Sequence, residues 1–340
     1  MISATVSPAR RLTVYPDNEK GPSMKTVVFG ATGYLGSHVA EQLAQAGHEA
    51  VCVVRDTSDT AFLDTLPVAV VRENFDDQRA LSSHIPAGAA VINCVADTRM
   101  HVSDDARRVV ETDLTSRLFC AAQDAGARRF IQLSTVMIYG FDRPATAIDE
   151  TYPVKPYYSY SRIAREREDA LFNLQPDSGV ELVILRPSNT LGKRDTSALP
   201  ALLAGHEKGN FAVIGGGDWH YSCTDARDVG RAMVHLLAVP VSGPEIFLVA
   251  AYDTTWLAVK EALDTLLGRK TKLLNIPKGF AMALGWLMEK LYPYGKNPPL
   301  TRFSVEVLST HTLFDDSKLR ATGFEPRYSL EETLSDALDK

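Results

Sequence analysis

The sequence is poor in cysteine. Cys52, Cys94, Cys120 and Cys223 are the four in 340 residues, and they lie far apart with no CxxC or Cys/His spacing. That excludes a structural zinc framework and fits small buried side chains in a reducing cytosol. It also lacks a long apolar run. The longest, residues 279–291, falls short of the ~20 residues a spanning helix needs and contains Glu289 and Lys290. It reads as a buried or substrate-facing helix, with a peripheral membrane contact as the minor alternative. No strong charge of either sign is present: 36 Lys and Arg against 42 Asp and Glu give −6, so nothing global attracts nucleic acid or anionic lipid. Residues 1–23 carry Arg10-Arg11 but no apolar stretch after them, so they read as an N-terminal extension before Met24 rather than a secretion signal. There is no internal repeat and no low-complexity tract.

What the sequence does have is an average globular composition, with 45% apolar and 23% charged residues, enough for an ordinary core. From Lys25 onward, short β-branched runs alternate with helical periods. Strands are expected over 26–29, 50–54, 68–71, 90–95, 129–134, 181–186 and 245–249. Helices are expected over 34–46, 112–125, 161–174 and 225–237. The strands are continuous apolar runs, as when both faces are buried. Strands alternating with helices imply right-handed crossovers and an α/β fold with a Rossmann-type doubly wound parallel sheet. After Pro187, Gly and Pro become frequent. This part reads as a smaller α+β C-terminal substrate lobe over the carboxyl edge of the sheet, where open α/β sheets bind ligands. The expected partition is 1–23 as the extension, 24–189 with 224–252 as the dinucleotide domain, and 190–223 with 253–340 as the substrate lobe.

Gly30-Ala31-Thr32-Gly33-Tyr34-Leu35-Gly36 follows the first strand and opens the first helix. Gly30 suits a tight turn, Gly33 a close approach of phosphate, and Gly36 close packing of helix on strand. The helix N-terminus offers free N–H groups and partial positive charge. Past the second strand stand Arg55 and Asp56. A carboxylate there accepts from a ribose 2′-hydroxyl, whereas arginine pairs with a 2′-phosphate.

The GATGxxG spacing resembles the extended branch of the short-chain dehydrogenase/reductase superfamily. By that resemblance Gly30, Thr32, Gly33, Tyr34, Leu35 and Gly36 hold the cofactor. Arg55, where NAD-preferring members carry Asp, tilts the expectation to NADP over NAD. Asn74-Phe75 stands for the Asp-hydrophobic pair near adenine, Val95-Ala96 for the segment along the cofactor, and Pro187-Ser188, in an R-P-x-x-x-x-G match over 186–192, for the nicotinamide neighbourhood. Residues 133–140, LSTVMIYG, are similar to S-S-x-x-V-Y-G, which gives Thr135 the position of the active hydroxyl, with Ser134 beside it. Tyr158, Ser161 and Glu166 fit the Y-x-x-S-K…E pattern, with Arg162 in place of the lysine. A free tyrosine has a pKa of roughly 10, and a cation one helical turn away stabilises its phenolate. The resemblance therefore implies Tyr158 as acid/base, Thr135 as oxygen anchor, and Arg162 as the charge that tunes Tyr158 and holds the nicotinamide ribose. Arginine keeps the charge but not the shape of an ammonium. Glu111 stands where the family often has Asn.

Residues 297–331 resemble bacterial 3β-hydroxysteroid-dehydrogenase-like proteins. With the apolar helix around Met282 and Trp286, they imply ketone reduction or secondary-alcohol oxidation on an apolar or polycyclic molecule such as a steroid, a polyketide or a β-keto lipid. Two alternatives stay open: a nucleotide-sugar epimerase or dehydratase, for which Lys193-Arg194 is a candidate diphosphate pair, and a non-catalytic cofactor-binding scaffold. The resemblance further implies a homodimer, while the cysteine usage, charge balance, short apolar runs and lack of ligand spacing described above lead us to expect a cytoplasmic protein with no nucleic-acid partner, no integral membrane segment and no metal. Arg227 and Asp228 read as structural, as do His38, His101, His206, His220, His235 and Trp219.

Overall fold

In the computed structural model, which describes residues 24–339, the first elements are β1 (Thr26–Phe29), α1 (Tyr34–Ala46), β2 (Ala50–Val54) and β3 (Ala69–Arg72). Next come α2 (Gln78–Ser83), β4 (Ala90–Asn93), α3 (Asp104–Arg108), α4 (Leu114–Asp124), β5 (Arg129–Leu133), α5 (Ser159–Leu174) and β6 (Glu181–Pro187). They are followed by β7 (Asn189–Leu191), α6 (Ala198–Glu207), β8 (Asn210–Ile214), β9 (Tyr221–Asp225), α7 (Ala226–His235) and β10 (Glu245–Val249). The remainder is β11 (Tyr252–Thr254), α8 (Trp256–Leu266), β12 (Lys272–Ile276), α9 (Lys278–Leu291), α10 (Arg302–Leu308), α11 (Ser317–Arg320) and α12 (Leu330–Leu338). The expected extension over 1–23 lies outside the described residues.

Seven strands pair in parallel in the order β10-β6-β5-β4-β1-β2-β3. Alternation along β1 divides the core. Val28 faces a layer with Leu43, Ile92, Val229 and Leu236, built under α1 and α7. Val27 and Phe29 face the opposite layer with Leu118, Phe119 and Leu171, built under α4 and α5. Strand order reverses between β1 and β4, so the loops at their carboxyl ends part there and leave a crevice.

Three features differ from the sequence expectation. The helix expected over 112–125 begins earlier, because Ser103 accepts from the Ala106 N–H and starts α3, which joins α4 through a π-helical turn at Val109–Asp113. The third strand is not buried on both faces: β3 is the sheet edge, with Ala69 and Arg72 exposed. The C-terminal segment is not confined to the lobe, since Leu319 and Phe324 belong to the sheet core and α11 packs on β10. The lobe's own core gathers Phe211, Tyr221, Trp256, Leu263 and Leu334 around the sheets β11-β9-β7 and β12-β8. Among the described residues, no helix is long and apolar enough to cross a membrane.

Candidate active site

The turn between β1 and α1 is built by close approach. Gly30 has φ +79, and a Cβ there would lie 2.7 Å from the backbone of Cys94 and Val95. A Cβ on Gly36 would lie 2.0 Å from the Gly30 carbonyl oxygen. Helix α1 starts at Gly33 with no side-chain cap, so its first N–H groups stay open for an anion. Thr32 is exposed and lines the crevice. Tyr34 and Leu35 turn inward: the Tyr34 hydroxyl is buried with no hydrogen-bond partner among the described residues, and Leu35 packs on the sheet core. Their contribution to a phosphate is backbone N–H.

The crevice of about 540 Å³ is lined by Gly30, Thr32, Gly33, Arg55, Phe75 and the run Cys94–Arg99. It therefore contains Val95 and Ala96. A neighbouring cavity of about 460 Å³ is lined by Arg55, Asp56, Asn74, Phe75 and Arg117. The glycine cradle, the uncapped helix and the two cavities, which share Arg55 and Phe75 in their walls, fit a dinucleotide. Arg55 itself is exposed, and its loop is held from below: Arg72 Nη1 donates to the carbonyls of Arg55, Asp56 and Ser58.

The segment 95–99 is anchored by residues the sequence reading left unassigned. Buried Arg107 donates to the carbonyls of Asp97 and Arg99. Glu111 accepts the Asp97 N–H at 2.6 Å and pairs with buried Arg167. Glu111, standing where the family often has Asn, thus has a matching cation in Arg167. The sequence offered that signal only as two opposite charges with no spacing rule to join them.

At the carboxyl end of β5, Thr135 is buried and accepts the Met137 N–H at 3.1 Å. Its side chain also neighbours the hydroxyl of Tyr160 and favours the phenolate there. The Tyr160 ring lies under Arg107 at 5.6 Å. Burial and then Glu111 raise the Tyr160 phenol, against Thr135 and the cations Arg167 and Arg107. Tyr160 had no assigned role; the one hint was a segment with three tyrosines in four positions.

Tyr158 sits one residue before α5, with its ring edge-on to Phe141 (6.0 Å) and Phe303 (5.5 Å). Burial, with Glu306 adding to it, pushes its phenol up to about 12, and the cation opposing that rise most is Arg302. Arg162 is directed elsewhere: its Nη2 lies 2.6 Å from the Asp104 carboxylate and its Nη1 donates to the Tyr157 carbonyl. In this arrangement the cation that most favours the Tyr158 phenolate is Arg302 from α10, while Arg162 is paired with Asp104 at the start of α3. Pro187 ends β6, and the Ser188 hydroxyl turns to Thr224 at 2.8 Å. Behind Thr135, Ser134 donates to Glu168 at 2.5 Å, and Glu168 holds Arg186.

Arg194, of the candidate diphosphate pair, and Asp228, read as structural, both have partners within the fold. Arg194, with φ +65, is bound to Ser37, His38 and Glu41 and lies 4.0 Å over the Phe62 ring. Asp228 accepts the N–H groups of Arg327 and Tyr328. Among the described residues no His, Cys, Asp and Glu cluster could hold a metal.

A family model described as NAD dependent epimerase/dehydratase family matches residues 26–250. The chain belongs to that family. Its members are NAD-dependent enzymes of the extended short-chain dehydrogenase/reductase type, in keeping with the glycine turn and the crevice above. The chain is 26% identical over 325 residues to 4-hydroxy-2-methyl-3-oxo-4-farnesyl-3,4-dihydroquinoline-1-oxide ketoreductase of Stigmatella aurantiaca, covering 93% of this chain and 96% of that one. It is 24% identical to N-acetyl-alpha-D-glucosaminyl-diphospho-ditrans,octacis-undecaprenol 4-epimerase of Escherichia coli O157:H7, over 92% of this chain and 93% of that one. The fold is that of UDP-glucuronic acid 4-epimerase from Bacillus cereus, solved with UDP-glucuronic acid and NAD, with TM-score 0.74, 19% identity and coverage of 93% and 98%.

Proposed function

We propose that the protein is an NAD(P)-dependent oxidoreductase that interconverts a ketone and a secondary alcohol on an apolar or polycyclic small molecule such as a steroid, a polyketide or a β-keto lipid. The observation that carries this reading is the setting of Tyr158, a protonated phenol held between the rings of Phe141 and Phe303. Such walls suit an apolar substrate and offer little to a sugar diphosphate. Arg194, half of the candidate diphosphate pair, is already committed to Glu41. Relatives named as ketoreductase and as 3beta-hydroxysteroid-dehydrogenase/decarboxylase are of the proposed class.

Gly30, Gly33 and the open N–H groups of α1 would hold the pyrophosphate, with Thr32 beside them. Asn74 and Phe75 would face adenine, Val95 and Ala96 would lie along the dinucleotide, and Pro187 and Ser188 would stand near the nicotinamide. Arg55 would pair with a 2′-phosphate, which favours NADP. A bound reduced nicotinamide supplies the hydride. Thr135 holds the carbonyl oxygen by a hydrogen bond, and Tyr158, whose phenol keeps its proton to about pH 12, donates that proton to the developing alkoxide. Arg162 serves the ribose once its link to Asp104 is exchanged. Segments 190–223 and 253–340, apart from the α11 stretch that packs on β10, act as the substrate lobe in a cytoplasmic homodimer.

The test is NADPH oxidation with a panel of ketones by wild type, Tyr158→Phe and Tyr160→Phe. Turnover should fall by ~10²-fold or more in Tyr158→Phe, the usual worth of a positioned proton donor, and change little in Tyr160→Phe. The reverse pattern would transfer the acid role to Tyr160, which already meets Thr135. No turnover in any form, with NADPH still bound, would favour the scaffold reading, which the engagement of Arg162 by Asp104 supports. Activity confined to nucleotide sugars would favour the epimerase.

A further inference from the structure

Helix α9 is apolar around most of its circumference, with acidic and basic side chains only near its ends at Lys278, Glu289 and Lys290. Such a helix is ordinarily enclosed. Here one face is covered: Ala281 and Gly285 are buried, Gly285 lies against Thr301 and Arg302, and Glu289 pairs with Arg302 of α10. The other face is open. Phe280 is 63% exposed, Trp286 50%, Leu287 44% and Leu291 71%, and the chain continues into exposed Tyr292 and Tyr294. Positions 280, 283, 287 and 291 follow one helical stripe, with Trp286 beside it. The strand that leads into α9 adds exposed Leu273 and Leu274. An open apolar surface of this extent marks a contact with something else.

Charge says what that contact is. Residues 269–296 contain Arg269, Lys270, Lys272, Lys278, Lys290 and Lys296 against Glu289 alone, a local net charge of +5 in a chain whose total is −6. Lys270, Lys272, Lys290 and Lys296 are exposed, and none of them enters an ion pair among the described residues. A basic border around an apolar helix face that also carries Trp and Tyr is the pattern of a helix lying in a membrane interface, where rings sit at headgroup level and lysines meet anionic lipid.

The face also leads to the site. Beyond α9 the Tyr294 ring stacks on His101 at 4.7 Å, the Gly295 N–H donates to the His101 carbonyl, and the Met100 N–H donates to Asn297. These residues follow directly on the crevice wall at Thr98 and Arg99. On the covered side, α10 presents Phe303 to Tyr158. We propose that the open face of α9, with Leu273 and Leu274, is a docking surface for an anionic lipid bilayer, which seats the catalytic mouth of the enzyme on the membrane.

The experiment uses the full chain without substrate or cofactor, so its outcome is independent of whether the oxidoreductase reading holds. The protein is sedimented with vesicles of phosphatidylcholine alone and of phosphatidylcholine with phosphatidylglycerol, and tryptophan emission is recorded. Binding to the anionic vesicles should exceed binding to the neutral ones, with a blue shift that Trp286→Phe removes. Leu287→Glu and Leu291→Glu, both at exposed positions, should abolish binding while the unfolding temperature stays that of wild type. Each of Lys290→Gln and Lys296→Gln should weaken it by about fivefold, the worth of one lysine near an anionic surface. The proposal is overturned if neither vesicle binds, if binding ignores these variants, or if size-exclusion chromatography shows a dimer that Leu287→Glu splits, which would make a second copy the cover.

Discussion

Replacing Glu168 by glutamine probes the support beneath the candidate site. Glu168 is fully buried on α5. Its two oxygens accept Arg186 Nε at 3.0 Å and Nη2 at 2.6 Å, and one also accepts the Ser134 hydroxyl at 2.5 Å. Arg186, on β6 and 1% exposed, further donates to the Tyr139 hydroxyl at 2.7 Å. The pair thus joins α5 to β5 and β6, the strands whose ends carry Thr135, Pro187 and Ser188. Glu168→Gln keeps the volume and leaves the Arg186 charge uncompensated in a dry interior, which costs about 3–5 kcal/mol. The double change Glu168→Leu with Arg186→Met removes both charges and orphans only the hydroxyls of Ser134 and Tyr139, at ~1–3 kcal/mol each. Its loss should therefore be smaller than the two single losses added. Urea titration reads both quantities, with an unchanged slope showing that the denatured state has not altered. A loss below ~1 kcal/mol for Glu168→Gln, or losses that simply add, would refute the reasoning.

Other outcomes follow from the same geometry. Gly36→Ala places a Cβ 2.0 Å from the Gly30 oxygen. It should destabilise by ~1–3 kcal/mol in denaturant and weaken dinucleotide binding by calorimetry. Arg55→Ala removes an exposed guanidinium at the edge of both cavities. It should lower NADPH affinity by about tenfold, the weaker end of a charge-assisted contact, and leave NADH unchanged; equal effects on both would end its role in selecting the cofactor. Burial would raise the Asp264 carboxyl, but hydrogen bonds from Lys260 and Thr271 outweigh it and hold the group at about 2. The folded-state value lies below the unfolded ~3.9, so the stability it adds is present above pH 4 and is lost as pH falls toward 2. The gap in unfolding temperature between wild type and Asp264→Asn should close across that interval.

The seven strands of the main sheet were legible because parallel strands buried on both faces leave unbroken apolar runs such as 26–29 and 181–186, whereas the short strands and helices of the lobe left no such pattern. Helix α1 was legible from the glycine turn, since the positive φ of Gly30 and the contact of Gly36 with Gly30 are local, although the backbone that crowds Gly30 is that of Cys94 and Val95. The start of α3 was not, since Ser103 caps a turn of charged residues with no apolar period to announce it. Within the site, the family resemblance pointed to Thr135, Tyr158 and Arg162 but could not show their company. Tyr160 meeting Thr135, Arg302 facing Tyr158 and Asp104 holding Arg162 depend on how α3, α5 and α10 pack together.

By itself, the sequence determined a dinucleotide turn on a parallel sheet and the residue types available for proton transfer, because these are announced by patterns of glycine and of apolar residues within short segments. Tertiary structure alone decided which cation faces which phenol, that Arg194 is bound to α1, and that one face of α9 stays open beside a basic border. Those are long-range outcomes of burial and charge pairing, and no spacing along the chain encodes them.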